Sequence, residues 1–239
     1  MTLRIAIVGM GRMGTIIDEM VSADPAMEVV ARVDADAEAL GQDAPSADVV
    51  IDFSHESMLD AVAAYVRRTG AALVSGTTGY SAAQMEQLAE LGKHAAVLYS
   101  ANYSLGVAVL RRLAAQAAEA LADFDIEIIE THHNQKADAP SGTAKLLLDA
   151  VNPDGALIPT YGREGMCGKR DPREIGVHAV RGGTVAGVHT VSFFGEDQEV
   201  SLTHRATSRR IFAAGAVAAA RKMVGRAPGF YAFDDVMFS

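Results

Sequence analysis

The sequence predicts an α/β unit built on a parallel sheet, followed by an α+β unit whose sheet is mixed and mostly antiparallel. Three observations carry this expectation. Over the first hundred residues short apolar runs alternate with amphipathic stretches, the pattern left by β-α-β units. Beyond residue 125 the pattern changes to β-rich runs in which apolar and polar residues alternate, as antiparallel strands do. The chain has 239 residues, 49% hydrophobic and 21% charged, which is enough for one large domain or two small ones with a real core.

In chain order, residues 3–8 form an apolar run that reads as a buried strand, and 13–21 follow as a helix. Strands are expected at 29–33, 49–53, 71–75 and 95–99, with helices at 57–68 and 81–91 between them. A long Ala/Leu-rich helix over 105–121 leads away from this unit. Residues 126–132 form a β-rich run, and 141–150 read as a helix with Ser141 as its cap. Residues 175–181, 188–194 and 200–206 carry the alternation of antiparallel strands, and 211–224 are helical again. The expected division is 1–103 and 104–209, with the C-terminal helical part of 210–239 packing back on the first domain.

The first strand ends in Gly9-Met10-Gly11-Arg12-Met13-Gly14, and the first helix begins there. In such a turn the first glycine permits the bend, the second lets backbone approach a pyrophosphate, and the third lets helix and strand pack closely. The helix N-terminus supplies free N–H groups and partial positive charge. Asp34 lies twenty residues after Gly14, at the end of the second strand. That context points to a Rossmann-type dinucleotide-binding domain. Asp34 is placed to accept from a ribose diol, which favours NADH, although Arg12 could cover the extra phosphate of NADPH. Gly76-Thr77-Thr78-Gly79 and Ser100-Ala101-Asn102-Tyr103 follow the fourth and fifth strands. Ligands bind outside the carboxyl ends of parallel strands, so both turns are expected on the dinucleotide rim; ordinary turn chemistry is the alternative.

The segment from Glu130 to Ala144 concentrates His132, His133 and Lys136 just before a helix start marked by Pro140 and Ser141. Free N–H groups near Gly142 and Thr143, with the hydroxyls of Ser141 and Thr143, suit a carboxylate or phosphate. The segment reads as a receptor for a small acid. A metal is not expected: adjacent histidines on an extended chain point to opposite sides, and no helical histidine pair or cysteine pair supports them. A structural role for one of the two remains an alternative. His55, His94, His178, His189 and His204 are assigned to structure or surface.

Composition excludes other classes. A net charge of −9 argues against nucleic acid, which needs a dense basic face. No run approaches the ~20 apolar residues of a membrane span. Cys167 is the only cysteine, so no intrachain disulfide is expected. The opening residues read as a strand rather than a leader, and a cytoplasmic setting is expected.

These residues resemble the 4-hydroxy-tetrahydrodipicolinate (dihydrodipicolinate) reductase family over essentially the whole chain. The most specific element is Glu130-x-His132-His133-x-x-Lys136-x-Asp138-x-Pro140-Ser141-Gly142-Thr143-Ala144. Gly76-Thr77-Thr78-Gly79, Ser100-Ala101-Asn102-Tyr103-Ser104 and Thr203-His204-Arg205-Ala206-Thr207-Ser208-Arg209 support it. The glycine loop is one residue shorter than the form common in that family. The resemblance implies NAD(P)H-dependent reduction of a cyclic imine dicarboxylate on the diaminopimelate route to lysine. It implies His132 as proton donor, Lys136 as a second catalytic and substrate-binding group, and His133, Ser141, Gly142 and Thr143 as substrate binders. A dinucleotide-binding domain, a substrate and oligomerisation domain, closure around both ligands and a homotetramer are also implied. Another two-domain dehydrogenase of amino or sugar acids, or a non-catalytic dinucleotide sensor, would share the glycine loop without needing the histidine-lysine segment.

Overall fold

The computed structural model describes residues 2–239. The chain runs through β1 (Leu3–Val8), α1 (Arg12–Ser22), β2 (Met27–Val33), β3 (Val49–Asp52), α2 (Leu59–Thr69), β4 (Ala72–Ser75), α3 (Ala82–Leu91), β5 (Ala96–Tyr99) and α4 (Leu105–Ala120). It continues through β6 (Asp125–His132), α5 (Gly142–Val151), β7 (Ile158–Thr160), β8 (Glu174–Arg181), β9 (Gly187–Gly195) and β10 (Gln198–Ala206). It closes with α6 (Arg210–Met223), β11 (Gly229–Tyr231) and α7 (Phe233–Met237). Two compact units result: the chain up to Leu105 together with Arg210–Ser239, and Gly106–Arg209.

The first unit holds a six-stranded parallel sheet in the order β11-β5-β4-β3-β1-β2. Every residue of β3 and β4 is buried, as expected of strands covered on both faces, which is why their sequences are continuous apolar runs. The crossover from β1 to β2 runs one way along the sheet and those from β3 to β5 run the other. Right-handed crossovers then place α1 on one face and α2 and α3 on the opposite face. Leu59, Val62 and Leu88 of those two helices share a core with Ala6 and Val8. The chain order reverses between β1 and β3, and such a reversal opens a crevice at the strand ends.

Three short elements escape the sequence pattern: β7, β11 and α7 are three, three and five residues long, too short to show a period. The C-terminal segment is accordingly not one helix. It is α6, then an edge strand paired with β5, then one helical turn. The expected helix at 57–68 likewise begins as a single tight turn over Glu56–Met58.

The second unit has a five-stranded sheet in the order β10-β9-β6-β8-β7. It is mixed, with β6–β9 and β9–β10 antiparallel and β6–β8 and β7–β8 parallel. β8 thus departs from the antiparallel expectation. β8 and β9 do run in opposite directions, but β6 is inserted between them, so each pairs with β6 instead. Residues 182–186 therefore cross the end of β6, where His133 N–H donates to the Val185 carbonyl (2.8 Å) and Gly182 N–H donates to the His132 carbonyl (2.9 Å). One sheet face is covered by α4 and α5 through Leu110, Ala114, Leu147 and Val151. On the other, Ile129, Val180 and Phe194 are each more than 40% exposed.

Candidate active site

At the rim of the parallel sheet the glycine loop behaves as three different positions. Gly9 has φ +89°, and a Cβ on Gly14 would lie 1.8 Å from the Gly9 carbonyl oxygen. Both are demanded by the backbone. A Cβ on Gly11 would meet nothing within 4 Å, so this glycine faces open space, the condition for close approach of a phosphate. Gly11 caps α1 without a side-chain bond, which leaves the first N–H groups of the helix available to an anion. Arg12 is exposed and Met13 is half-buried on the first turn. Asp34 is tied back to the loop, accepting from Met10 N–H at 3.1 Å.

A cavity of about 230 Å³ opens here, lined by Gly9, Gly11, Asp34, Phe53, Ser54 and His55 among others. The last three were not singled out from sequence, and His55 was assigned to structure or surface. They follow the carboxyl end of β3, so the strand-end rule that marked the turns after β4 and β5 applies equally to them. Beneath the rim the Asp52 carboxylate is buried and accepts from the hydroxyls of Ser54 (2.5 Å), Ser75 (2.9 Å), Thr77 (3.0 Å) and Tyr80 (3.2 Å). Four hydroxyl donors offset its desolvation.

The turns after β4 and β5 divide by side-chain role. Thr77 spends its hydroxyl on Asp52 and on Ser54 N–H (3.0 Å). Tyr103 is buried between the rings of Phe53 (5.4 Å) and Phe233 (5.2 Å) and donates to the Ser75 carbonyl at 2.8 Å. Both side chains are scaffold. Gly76 is half-buried, and Thr78 and Ala101 are exposed. Ser100 donates to the Asn102 carbonyl at 2.7 Å, and the Asn102 side chain accepts from Ser104 N–H at 2.8 Å.

In the second unit the end of β6 and the start of α5 converge. Glu130 is fully buried and is bonded by His132 Nδ1, by Arg181 through Nη1 (3.0 Å) and Nη2 (2.8 Å), and by Ser141 N–H (3.0 Å). Burial alone would raise the Glu130 carboxyl, but these donors outweigh it and hold the group below its ordinary range. For His132 the balance falls the other way. Burial lowers its basicity, Glu130 pulls it up, and Lys136 and Arg181 push it down, with a net decrease. Ser141 caps α5, accepting from Ala144 N–H at 3.2 Å, and its hydroxyl also meets His189 Nε2 at 3.1 Å.

Around this core lie the remaining expected residues. Lys136 is half-buried and pairs with Asp138 at 2.7 Å. His133 is half-buried, with Arg209 3.5 Å from its Nε2. Gly142 and Thr143 form the first turn of α5, and a Cβ on Gly142 would meet only open space. Two residues essential to this geometry were missed from sequence. Arg181 was not singled out, and His189 was assigned to structure or surface. They arrive through strand register, Arg181 opposite His132 and His189 opposite Glu130. Inward alternation of β9 was the one available signal for His189. Its ring stands edge-on to His132 with centroids 5.1 Å apart, and burial followed by the neighbouring His132 pushes it down to about 4.

Glu130, His132 and His189 thereby bring a carboxylate and two imidazoles within 4.8 Å of one another. A divalent ion could use such a set, but here Arg181 already neutralises the carboxylate.

Two family models match the chain. Dihydrodipicolinate reductase, N-terminus, matches residues 3–103, and dihydrodipicolinate reductase, C-terminus, matches residues 106–237. The chain belongs to the dihydrodipicolinate reductase family. Relatives named 4-hydroxy-tetrahydrodipicolinate reductase agree along the full length. The one from Halorhodospira halophila is 42% identical, over 99% of both chains. The one from Brachyspira hyodysenteriae is 38% identical, over 98% of this chain and all of its own. Among solved structures, a dipicolinate-bound dihydrodipicolinate reductase from Paenisporosarcina sp. TG-14 superposes with a TM-score of 0.81 at 24% identity, covering 99% of this chain and all of that one. At that identity the likeness shows the reductase family's fold: a Rossmann-like parallel sheet and a second, mixed sheet.

Proposed function

We propose that this chain reduces the cyclic imine dicarboxylate of its relatives' names, 4-hydroxy-tetrahydrodipicolinate or its dehydrated ring, on the diaminopimelate route to lysine. As a member of the family it is an NAD(P)H-dependent oxidoreductase. The observation that carries the proposal is the buried Glu130–His132 pair beside Lys136, at the start of α5. When bound, the reduced nicotinamide supplies a hydride. Addition to a conjugated imine moves electron density toward nitrogen, and the resulting enamine must be protonated on carbon. His132 delivers that proton, and the Lys136 ammonium stabilises the developing charge and holds a carboxylate. His133 and the first turn of α5, with Ser141, Gly142 and Thr143, receive the substrate carboxylates.

On the dinucleotide side, Gly9, Met10, Gly11, Arg12, Met13 and Gly14 cradle the pyrophosphate, and Asp34 accepts from the adenosine ribose, favouring NADH. The open space at Gly11 and the cavity beside Asp34 fit such a group. The turns at Gly76, Thr77 and Thr78 and at Ser100, Ala101, Asn102 and Tyr103 complete the rim, Thr77 and Tyr103 by supporting it from below. Residues 1–103 thus act as the dinucleotide domain and 104–209 as the substrate domain. The uncovered face of the mixed sheet, with Ile129, Val180 and Phe194, suits a homotetramer interface. No helix among the described residues is long and apolar enough to cross a membrane, and a cytoplasmic site of action is part of the proposal.

The test is NADH and NADPH oxidation followed at 340 nm, with substrate generated by the preceding aldol-condensing enzyme. Turnover that requires that substrate is expected. Its absence with the coupling enzyme active would transfer support to other dehydrogenases, and dinucleotide binding without any turnover would favour a sensor.

A further inference from the structure

Glu130 has no exposure at all, a position where a lone carboxylate is strongly disfavoured. Its three partners each have a second task. Arg181 Nη2 also donates to the Asp138 carbonyl at 2.8 Å, in the turn that carries Lys136. Ser141 starts α5 and holds His189. His132 is the reacting imidazole of the proposed mechanism. One carboxylate therefore links the turn, the helix start and the ring.

We infer that Glu130 is the positioning residue for His132, accepting from Nδ1–H so that Nε2 is the nitrogen that carries and delivers the proton. This rests on the reading of His132 as proton donor. A histidine's two nitrogens are distinguished by the hydrogen bond one of them makes, and His132 Nδ1 makes its bond to Glu130. Its Nε2 faces Gly187, where a Cβ would come within 3.1 Å of it. The absence of a side chain there keeps that nitrogen uncovered on this side.

The charges facing the ring come from several elements. Glu130 lies on β6, Arg181 on β8, His189 on β9 with His204 opposite it on β10, and Lys136 with its partner Asp138 in the turn before α5. Of these, Glu130 favours the imidazolium, while burial, Lys136 and Arg181 oppose it. Arg181 in turn keeps Glu130 ionised. The proton leaves Nε2 for the substrate carbon, the ring is left neutral with Nδ1–H in place, and Glu130 keeps its charge throughout.

The first test reads the unsubstituted protein and uses a variant only for assignment. In protein labelled with 15N-histidine, magic-angle-spinning spectra above pH 8 should show His132 in the Nδ1–H form, assigned by the signal lost in His132→Gln. A predominant Nε2–H form would overturn the inference. In the second, Glu130→Gln should lower kcat at least tenfold with dinucleotide Kd unchanged. The limb of the pH–kcat profile where rate falls as pH rises should move down by a unit or more, because the group favouring the imidazolium is gone. Glu130→Asp should recover part of both effects. A folded Glu130→Gln with unaltered kcat and an unmoved limb would show that Glu130 only supports the fold. Full activity in His132→Ala would instead defeat the assignment of His132, and the tautomer measurement distinguishes that outcome.

Discussion

At the rim of the parallel sheet the groups facing the cavity are mostly backbone and small residues, and the one carboxylate pointed into it, Asp34, is exposed. At the end of β6 the polar groups are buried and already paired: Glu130 with Arg181, His132 with Glu130, Ser141 with His189. The first region prepares for a ligand by leaving space and unsatisfied N–H groups. The second prepares by fixing charges in advance, so that little reorganisation is required when charge develops. A site of the first kind is damaged by adding atoms, and one of the second kind by removing a partner.

The sharpest way to break this contrast is to truncate the charged site. His132→Ala and Lys136→Ala should each lower kcat by ~10²–10⁴-fold while titrations of NADH fluorescence show unchanged affinity. A loss below tenfold in both would remove them from the chemistry. Next in size is the pH response of stability. His189 is held near 4 against an ordinary 6.5, so between those values the unfolded chain binds a proton that the folded chain refuses. Stability should therefore fall as pH drops from 6.5 toward 4, by on the order of 3 kcal/mol. Burial lowers His132 and His204 too, with the same sign. Urea unfolding at pH 7 and pH 5 measures this, and His189→Gln should flatten the difference.

The rim should respond to added bulk. Gly14→Ala places a Cβ on the Gly9 carbonyl, and an overlap with backbone should cost about 2–3 kcal/mol together with at least tenfold in dinucleotide Kd. Both are read from thermal unfolding and calorimetry with kcat on saturation little changed. Smaller still, Asp34→Ala should lower the ratio of kcat/KM for NADH to that for NADPH by about tenfold, the value of a hydrogen bond to a charged group at ~1.5 kcal/mol. Thr143→Ala should raise substrate KM about fivefold, near 1 kcal/mol, and leave NADH affinity alone. A dominant effect on NADH would place Thr143 in the other region.

Local signals made much of this legible. The glycine loop, Asp34, the Ser141 cap and the His132-His133-x-x-Lys136 segment are short-range patterns, each tied to one turn or helix start. The turns after β4 and β5 were legible as locations, but not the inward role of Thr77 and Tyr103, which depends on Asp52 and Phe53 lying beneath them. Arg181 left no local trace, and His189 left only its place in the inward alternation of β9. They stand 51 and 48 residues from their partners Glu130 and Ser141.

The amino-acid pattern alone determined the order of the longer strands and helices, the change from a parallel to a mixed sheet, and the two segments to which the proposed function assigns chemistry. Those depend on periodicity and on residue types at fixed short spacing, which act over one or two turns of chain. The tertiary structure alone decided that β6 lies between β8 and β9. That insertion brings a guanidinium and a second imidazole to Glu130 and sets the charge around His132. Strand register is a property of whole surfaces meeting, so the electrostatics of this site follow from folding rather than from any stretch of sequence.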